Sequence, residues 1–293
     1  MGIPKRLLIA QAVVAAVVAV GAACIAADNR ELLLRFNLKP GQTLRYHGTI
    51  AGAGQMTFEG ESRPVMITGE FDVSHRTERE KDGAFEITTR FERDKVTLQV
   101  AGEQDRSSRV GLPPLKRLMT ATGHVLSEKG WEQAPDSANS ALVVPLRWFS
   151  SSLAAVEFPE KPVKVGETWT QQLRTEGKAQ QAAQARQTTT LEGIETVGGR
   201  ECARLRTAAT VPFDMWLPED PIGTRVHAKG EQRIESTVLF DLVRGVVLTQ
   251  GASLDLRAET EAQVRGVKEP VRALCSLAAK VTVELAALQA PSG

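Results

Sequence analysis

Three runs near the C-terminus alternate apolar and polar residues with a period of two over far more positions than an ordinary strand needs. From Val226 the apolar positions are Val226, Ala228, Ile234, Val238, Phe240 and Leu242, set against Arg225, His227, Lys229, Glu231, Arg233 and Glu235. The next run sets Val246, Leu248, Ala252, Leu254, Leu256 and Ala258 against Thr249, Ser253, Asp255, Arg257 and Glu259. The last sets Val271, Ala273, Cys275, Leu277, Ala279, Val281 and Val283 against Arg272, Ser276, Lys280, Thr282 and Glu284. Successive side chains of a strand point to opposite faces, so only a strand sorts these residues into one dry and one wet side. Tight turns fit at Arg244-Gly245 and Arg265-Gly266. Strands of such length predict a large curved antiparallel sheet or an open barrel, because long strands twist too much to lie flat.

The first half has the same pattern. Leu44, Tyr46, Ile50, Met56 and Phe58 alternate with Arg45, His47, Thr49 and Thr57, and Val65, Ile67, Phe71 and Val73 with Glu70, Asp72 and Ser74. Lys81-Asp82-Gly83 is a hairpin turn with glycine where positive φ is needed. Phe85, Ile87 and Phe91 follow in register, and the parity shift near Asp94-Lys95 before Val96 predicts a bulge. Short connections throughout make an antiparallel meander the natural topology.

The sequence Lys39-Pro40-Gly41-Gln42-Thr43-Leu44 is echoed by Lys164-Val165-Gly166-Glu167-Thr168-Trp169, which suggests two related halves, 28–135 and 157–290. Chance recurrence of turn chemistry is the competing explanation. Between the halves the period changes within 140–156. Leu146, Phe149, Leu153 and Val156 fall on one helical stripe behind Pro145, which predicts one helix covering the sheet.

Lys5 and Arg6 precede an uncharged, mostly apolar stretch from Leu7 to Ala27. A basic start, an apolar middle and a small-residue exit form the layout of a secretory signal peptide, assigned here to residues 1–27. A retained anchor helix is the alternative. Gly21-Ala22-Ala23-Cys24 also approaches a bacterial lipoprotein box, in which Cys24 would carry the lipid, although a larger apolar residue usually stands where Gly21 does. The expected location is therefore periplasmic or extracellular, with the signal peptide or a lipidated Cys24 as the only membrane link. Residues 28–293 would form one large β domain.

Lys+Arg 36 against Asp+Glu 35 leaves a net charge of +1, and removing Lys5 and Arg6 keeps the body essentially neutral. No basic field exists to hold nucleic acid, and aromatics at 5% offer few stacking surfaces. Cys202 and Cys275 remain beyond the leader. Strand parity places Cys275 on an apolar face and Cys202 with Arg200, Arg204 and Arg206, so a bridge needs a bulge to bring the sulfurs together.

The chain contains no Gly-x-Ser-x-Gly elbow, no His-Glu-x-x-His, no phosphate-binding loop and no dinucleotide fingerprint. His47, His75, His124 and His227 lie on polar positions or in a turn, each expected to be a solvated surface histidine, and no metal or cofactor site is expected. The expectation is a protein that is not an enzyme. A cluster of aromatics around the middle segment is the remaining feature. Trp148 and Phe149, with Phe213 and Trp216 in an expected loop from Val211 to Pro218, are the candidate lining of an apolar groove for an apolar or amphiphilic small molecule. A conventional core, and with it a structural or scaffolding envelope protein without a ligand, is the rival.

The run from Glu157 to Trp169 contains Pro159-x-Lys161-Pro162-Val163-x-x-Gly166-x-x-Trp169. It resembles the corresponding segment of an uncharacterised family of secreted, mostly β bacterial proteins, with Gly198-Gly199-Arg200-Glu201-Cys202 matching a following pattern loosely. The resemblance implies export and β architecture and brings no activity. At fold level the expected sheet also resembles periplasmic lipoprotein carriers, unclosed barrels that hold acyl chains.

Mass spectrometry of the protein recovered from an exporting bacterial host should find an N-terminus within residues 24–28. An intact Met1 on a soluble cytoplasmic species would refute the leader, and the mass of the first peptide decides whether Cys24 is acylated.

Overall fold

The computed structural model describes residues 30–101, 106–109, 113–130, 156–173, 185–216, 225–263 and 269–291. The described elements are twelve strands: β1 Thr43–Phe58, β2 Glu61–Lys81, β3 Ala84–Val100, β4 Arg106–Arg109, β5 Leu115–Thr120, β6 Val125–Lys129, β7 Thr168–Leu173, β8 Ala185–Val197, β9 Arg200–Trp216, β10 Arg225–Asp241, β11 Val246–Gln263 and β12 Val271–Gln289. All lie in one antiparallel sheet of order β6-β5-β3-β2-β1-β12-β11-β10-β9-β8-β7, with β4 pairing off this path on β3. The three long runs are β10, β11 and β12, paired as neighbours in sequence order. The helix expected over 145–156 lies outside the described residues except for Val156, which is buried against the core. The leader, Cys24 and the turn at Arg265-Gly266 also lie outside them.

The strand order is that of an up-and-down meander cut between β6 and β7. The first and last strands pair along their whole length, from Thr43↔Gln289 to Phe58↔Ala273. The sheet edges therefore fall in the middle of the sequence. Eleven strands laid flat would hold those edges roughly 48 Å apart at normal strand spacing. Instead one short segment touches both. Phe158 N–H donates to Thr122 O beside β5, at 2.7 Å, and Glu157 O accepts from Trp169 Nε1 on β7, at 2.8 Å. The sheet is rolled, and its seam is bridged at one end by the chain itself.

That bridge is a plug of two irregular segments. Leu32 and Val163 form an antiparallel bridge, Phe36 N donates to Ala121 O, and Asn37 N to Gly245 O. Arg35 binds the two segments together, donating to Pro159 O at 2.6 Å and to Glu160 O at 2.7 Å. Phe36, Phe158 and Phe240 pack ring to ring with centroids 4.8–5.4 Å apart. Most of the distinctive Glu157–Trp169 run thus serves to build the plug, with Phe158 and Val163 as its buried anchors.

Bulges and turns fall close to where the alternation placed them. The β2–β3 register shifts at Glu92, two residues before the expected site. Asp82 and Gly83 have φ of 53° and 75°, the paired positive values of a two-residue hairpin turn. In β1, a Cβ at position 54 would lie 1.9 Å from Ser276 O, so only glycine lets the strands bend this sharply. The two echoed segments make the same turn. Gln42 N donates to Lys39 O and Glu167 N to Lys164 O; Gly41 N then meets Thr77 O on β2, and Gly166 N meets Leu191 O on β8.

The faces of the sheet sort as the alternation requires, with one difference. Leu254 and Val281 are buried, and Arg257, Glu259, Lys280 and Glu284 exposed, but Leu256 and Leu277 are only half-buried. They lie toward the ends of the strands remote from the plug. Phe58, at the same end, is 41% exposed although its register partner Ala273 is buried on the inner face. Cys202 and Cys275 are both free, on β9 and β12 with two strands between them.

Truncating Phe158 to Ala should cost about 3–5 kcal/mol in urea unfolding, and Leu254 to Ala about 2–5. Leu256 to Ala should cost visibly less than Leu254 to Ala, and Glu259 to Ala less than about 0.5 kcal/mol. Equal losses at 254 and 259 would mean the faces are reversed.

Candidate functional site

The inner face of the roll is where a ligand could be held, and it changes character along its length. At the plugged end it is filled by Leu34, Phe36, Phe158, Phe240, Leu191 and Leu205, all buried. Tyr46 spans this region, donating its hydroxyl to Val247 O at 3.0 Å across the intervening strand β12. Toward the other end the same face stays apolar but is only half-covered, at Met56, Val226, Leu256, Ala258, Cys275 and Leu277. Exposed and half-exposed apolar side chains on a concave face are what an apolar ligand would meet.

Between these regions a polar strip crosses β7–β11. Thr189, Thr207 and Ser236 stand opposite one another in register, with Gln187, Gln232 and Gln250 beside them, all buried. Thr207 Oγ1 and Ser236 Oγ are 2.6 Å apart, and Gln171 Nε2 donates to Gln187 Oε1 at 2.8 Å. These residues share strand parity with Leu191, Leu205, Ile234 and Leu254. The alternation alone could have placed them inside, had inward polar positions been counted with the apolar ones.

A second inward cluster sits on the other half of the sheet. Arg117 is almost fully buried and donates through Nε to Glu128 Oε2 at 2.8 Å, with a further contact through Nη2. A buried guanidinium needs such a partner, since an isolated one would be held out of water uncompensated. His75 lies close by, its Nδ1 2.7 Å from Thr89 Oγ1 and its ring edge-on to Tyr46. Burial, reinforced by the Arg117 charge, pushes His75 down to about 3. His75, half-buried on the inner face, is therefore held neutral and is not the solvated histidine expected from its position in the sequence. The other three are partly or well exposed and paired with carboxylates: His47 with Asp72, His124 with Glu157, His227 with Asp214. Among the described residues no group of three or more His, Cys, Asp or Glu side chains gathers to hold a metal. Burial raises both thiols, so neither Cys202 nor Cys275 is an activated nucleophile.

The structure describes two of the four residues expected to line a groove. Trp148 and Phe149 lie outside the described residues. Phe213 and Trp216 are on one strand, β9, three residues apart, and parity sends them to opposite faces. Phe213 is buried inside; Trp216 is 49% exposed on the outer face, stacked on His227 with Arg225 5.1 Å from its ring centre. A strand stands where a loop was expected, which is why the pair separates. The outer face also holds an open depression of about 650 Å³. Its two registered rows, Gln55–Ser276–Arg257–Glu231 and Thr57–Leu274–Glu259–Lys229, carry charges of both signs.

No family model and no curated protein matches the chain. Solved structures similar to it include DynF from the dynemicin biosynthesis pathway of Micromonospora chersina, at 10% identity over 88% of this chain and 89% of that one, TM-score 0.24. An outer membrane channel from Pseudomonas putida F1 is 7% identical over 85% and 97%, TM-score 0.23. A protein with a YmcC-like fold from Bacteroides fragilis is 8% identical over 88% and 99%, TM-score 0.18. Likenesses at this level carry no inference about what the chain does.

His75 supplies a pH test. Its pKa is lower folded than the usual 6.5, so the unfolded chain takes up a proton that the native one refuses. The contribution from neutral His75 is therefore complete above about pH 6.5 and lost as pH falls toward 3, by up to about 1.4 kcal/mol per pH unit. His75→Phe should flatten the pH dependence of unfolding in that window. An unchanged slope would place the imidazole in solvent.

Proposed function

We propose that this is an exported, non-catalytic binding protein whose inner sheet face takes an apolar or amphiphilic small molecule. The observation that supports it is the half-covered apolar surface at Met56, Leu256, Ala258 and Leu277, beyond an end already filled by Phe36, Phe158 and Phe240. A rolled sheet needs no uncovered apolar residues for its own stability, and each one kept is a cost in solubility unless something occupies it. The inner positions of β9–β12 carry no charge over this stretch. Export rests on residues 1–27, and neither cofactor nor nucleic acid enters the reading. The filled end supports the rival, a scaffolding envelope protein without a small-molecule ligand.

Titration of the folded mature protein with Nile red should give saturable binding at micromolar dye. Leu277→Lys should weaken it at least about tenfold, because a charge would be buried against the ligand. Lys280→Ala, on the outer face, should leave it unchanged. A well-folded monomer with no saturable binding assigns the scaffold role instead.

A further inference from the structure

We propose that the depression on the outer face is a second binding site, separate from the inner groove, and that it takes a dipeptide zwitterion with an apolar side chain. Its volume of about 650 Å³ is that of a small-molecule site, and it lies open to solvent across β1, β12, β11 and β10. Two opposite charges stand in it two residues apart on β11, Arg257 and Glu259. Each has an opposite charge in register on β10, Glu231 across from Arg257 and Lys229 across from Glu259. Such pairs attract one another across a sheet. Here they do not close: Glu231 accepts from Arg233 Nε at 2.8 Å, and Lys229 Nζ lies 4.0 Å from Asp214 Oδ2. Among the described residues Arg257 and Glu259 are left without an ion-pair partner, and both are exposed.

Leu274 is the third group. It stands opposite Glu259 on β12 and is 55% exposed, on a face where that strand otherwise sets Arg272, Ser276, Ala278 and Lys280. A leucine held in water between charges is stabilised when an apolar group covers it. Ser276 and Gln55, in the row of Arg257, place hydrogen-bonding side chains beside it. A ligand of one sign would satisfy one charge and be repelled by the other, so the pair calls for a molecule carrying both. Length then selects among zwitterions. Arg257 and Glu259 are about 7 Å apart along the strand, at roughly 3.4 Å per residue. An extended dipeptide spans about the same, on the order of 7 Å, whereas a free amino acid reaches half as far and a tripeptide roughly 10 Å. The carboxylate docks on the Arg257 guanidinium, whose fork can donate to both oxygens, and the α-ammonium on Glu259. A side chain of the ligand then covers Leu274.

The test is a saturation-transfer NMR titration of the folded protein with L-alanyl-L-leucine, which should bind saturably and more tightly than L-leucine. Arg257→Gln should weaken the dipeptide roughly two- to fivefold without weakening L-alanyl-L-leucine amide, which has no carboxylate. Glu259→Gln should weaken the dipeptide and the amide alike, without weakening N-acetyl-L-alanyl-L-leucine, which has no ammonium. Both side chains are exposed, so both variants should fold. Lys280→Gln, which removes a cation of the same face outside the depression, should change nothing. Absence of saturable binding, L-leucine binding as tightly as the dipeptide, or variants that weaken all these ligands equally or none of them each overturn the proposal. Added dipeptide should leave bound Nile red in place; competition between the two would put the dipeptide on the inner face and overturn the outer site. Failure of the dye to bind bears only on the inner groove.

Discussion

The seam between β6 and β7 is the constraint on which the rest of the molecule depends. A sheet of eleven consecutive strands has two edges, and each edge presents unpaired backbone groups to any other chain. Full closure would remove them, but the described strands do not pair across the seam. The chain instead rolls until residues 156–166 and the N-terminal segment fill the gap at one end. Backbone hydrogen bonds tie that plug to the β5–β6 and β10–β11 turns, the Trp169 indole donates to it, and three phenylalanine rings make it dry. Without the plug the roll would have nothing to hold its edges together at that end.

Closing one end sets the gradient along the interior. Near the plug, side chains come from the sheet and from the irregular segments, so the space is filled. Farther along the strands the sheet faces only itself, and its inner residues become half-covered although their chemistry stays apolar. The polar strip and the Arg117–Glu128 cluster lie between these regimes and differ in kind. The ion pair is internally satisfied, whereas Thr189 and Gln171 retain unused capacity.

Pairing of β1 with β12 makes the ends of the sequence central to the sheet. That arrangement puts the least ordinary part of the sequence, from Glu157 to Trp169, at the edge rather than in the middle. The equivalent turns at Lys39–Gln42 and Lys164–Glu167 then have different surroundings. One begins a strand flanked on both sides, the other an edge strand beside the plug.

Alternation by itself determined the β architecture, the antiparallel meander, the Asp82-Gly83 turn and which residues of β10, β11 and β12 face inward. These are local properties, since side-chain direction in a strand follows from the residue's position and the faces of adjacent strands are locked by register. It did not determine where the sheet would be cut, because the β1–β12 pairing joins residues more than two hundred positions apart. Nor could it separate Phe213 from Trp216 while they were read as a loop, or bring His75 inside beside Arg117. Whether an inward position is filled, half-covered or left with an unsatisfied hydroxyl depends on what stands across the roll. Only the tertiary structure decided that, since packing is set by atoms distant in the chain and brought near by the curvature of the sheet.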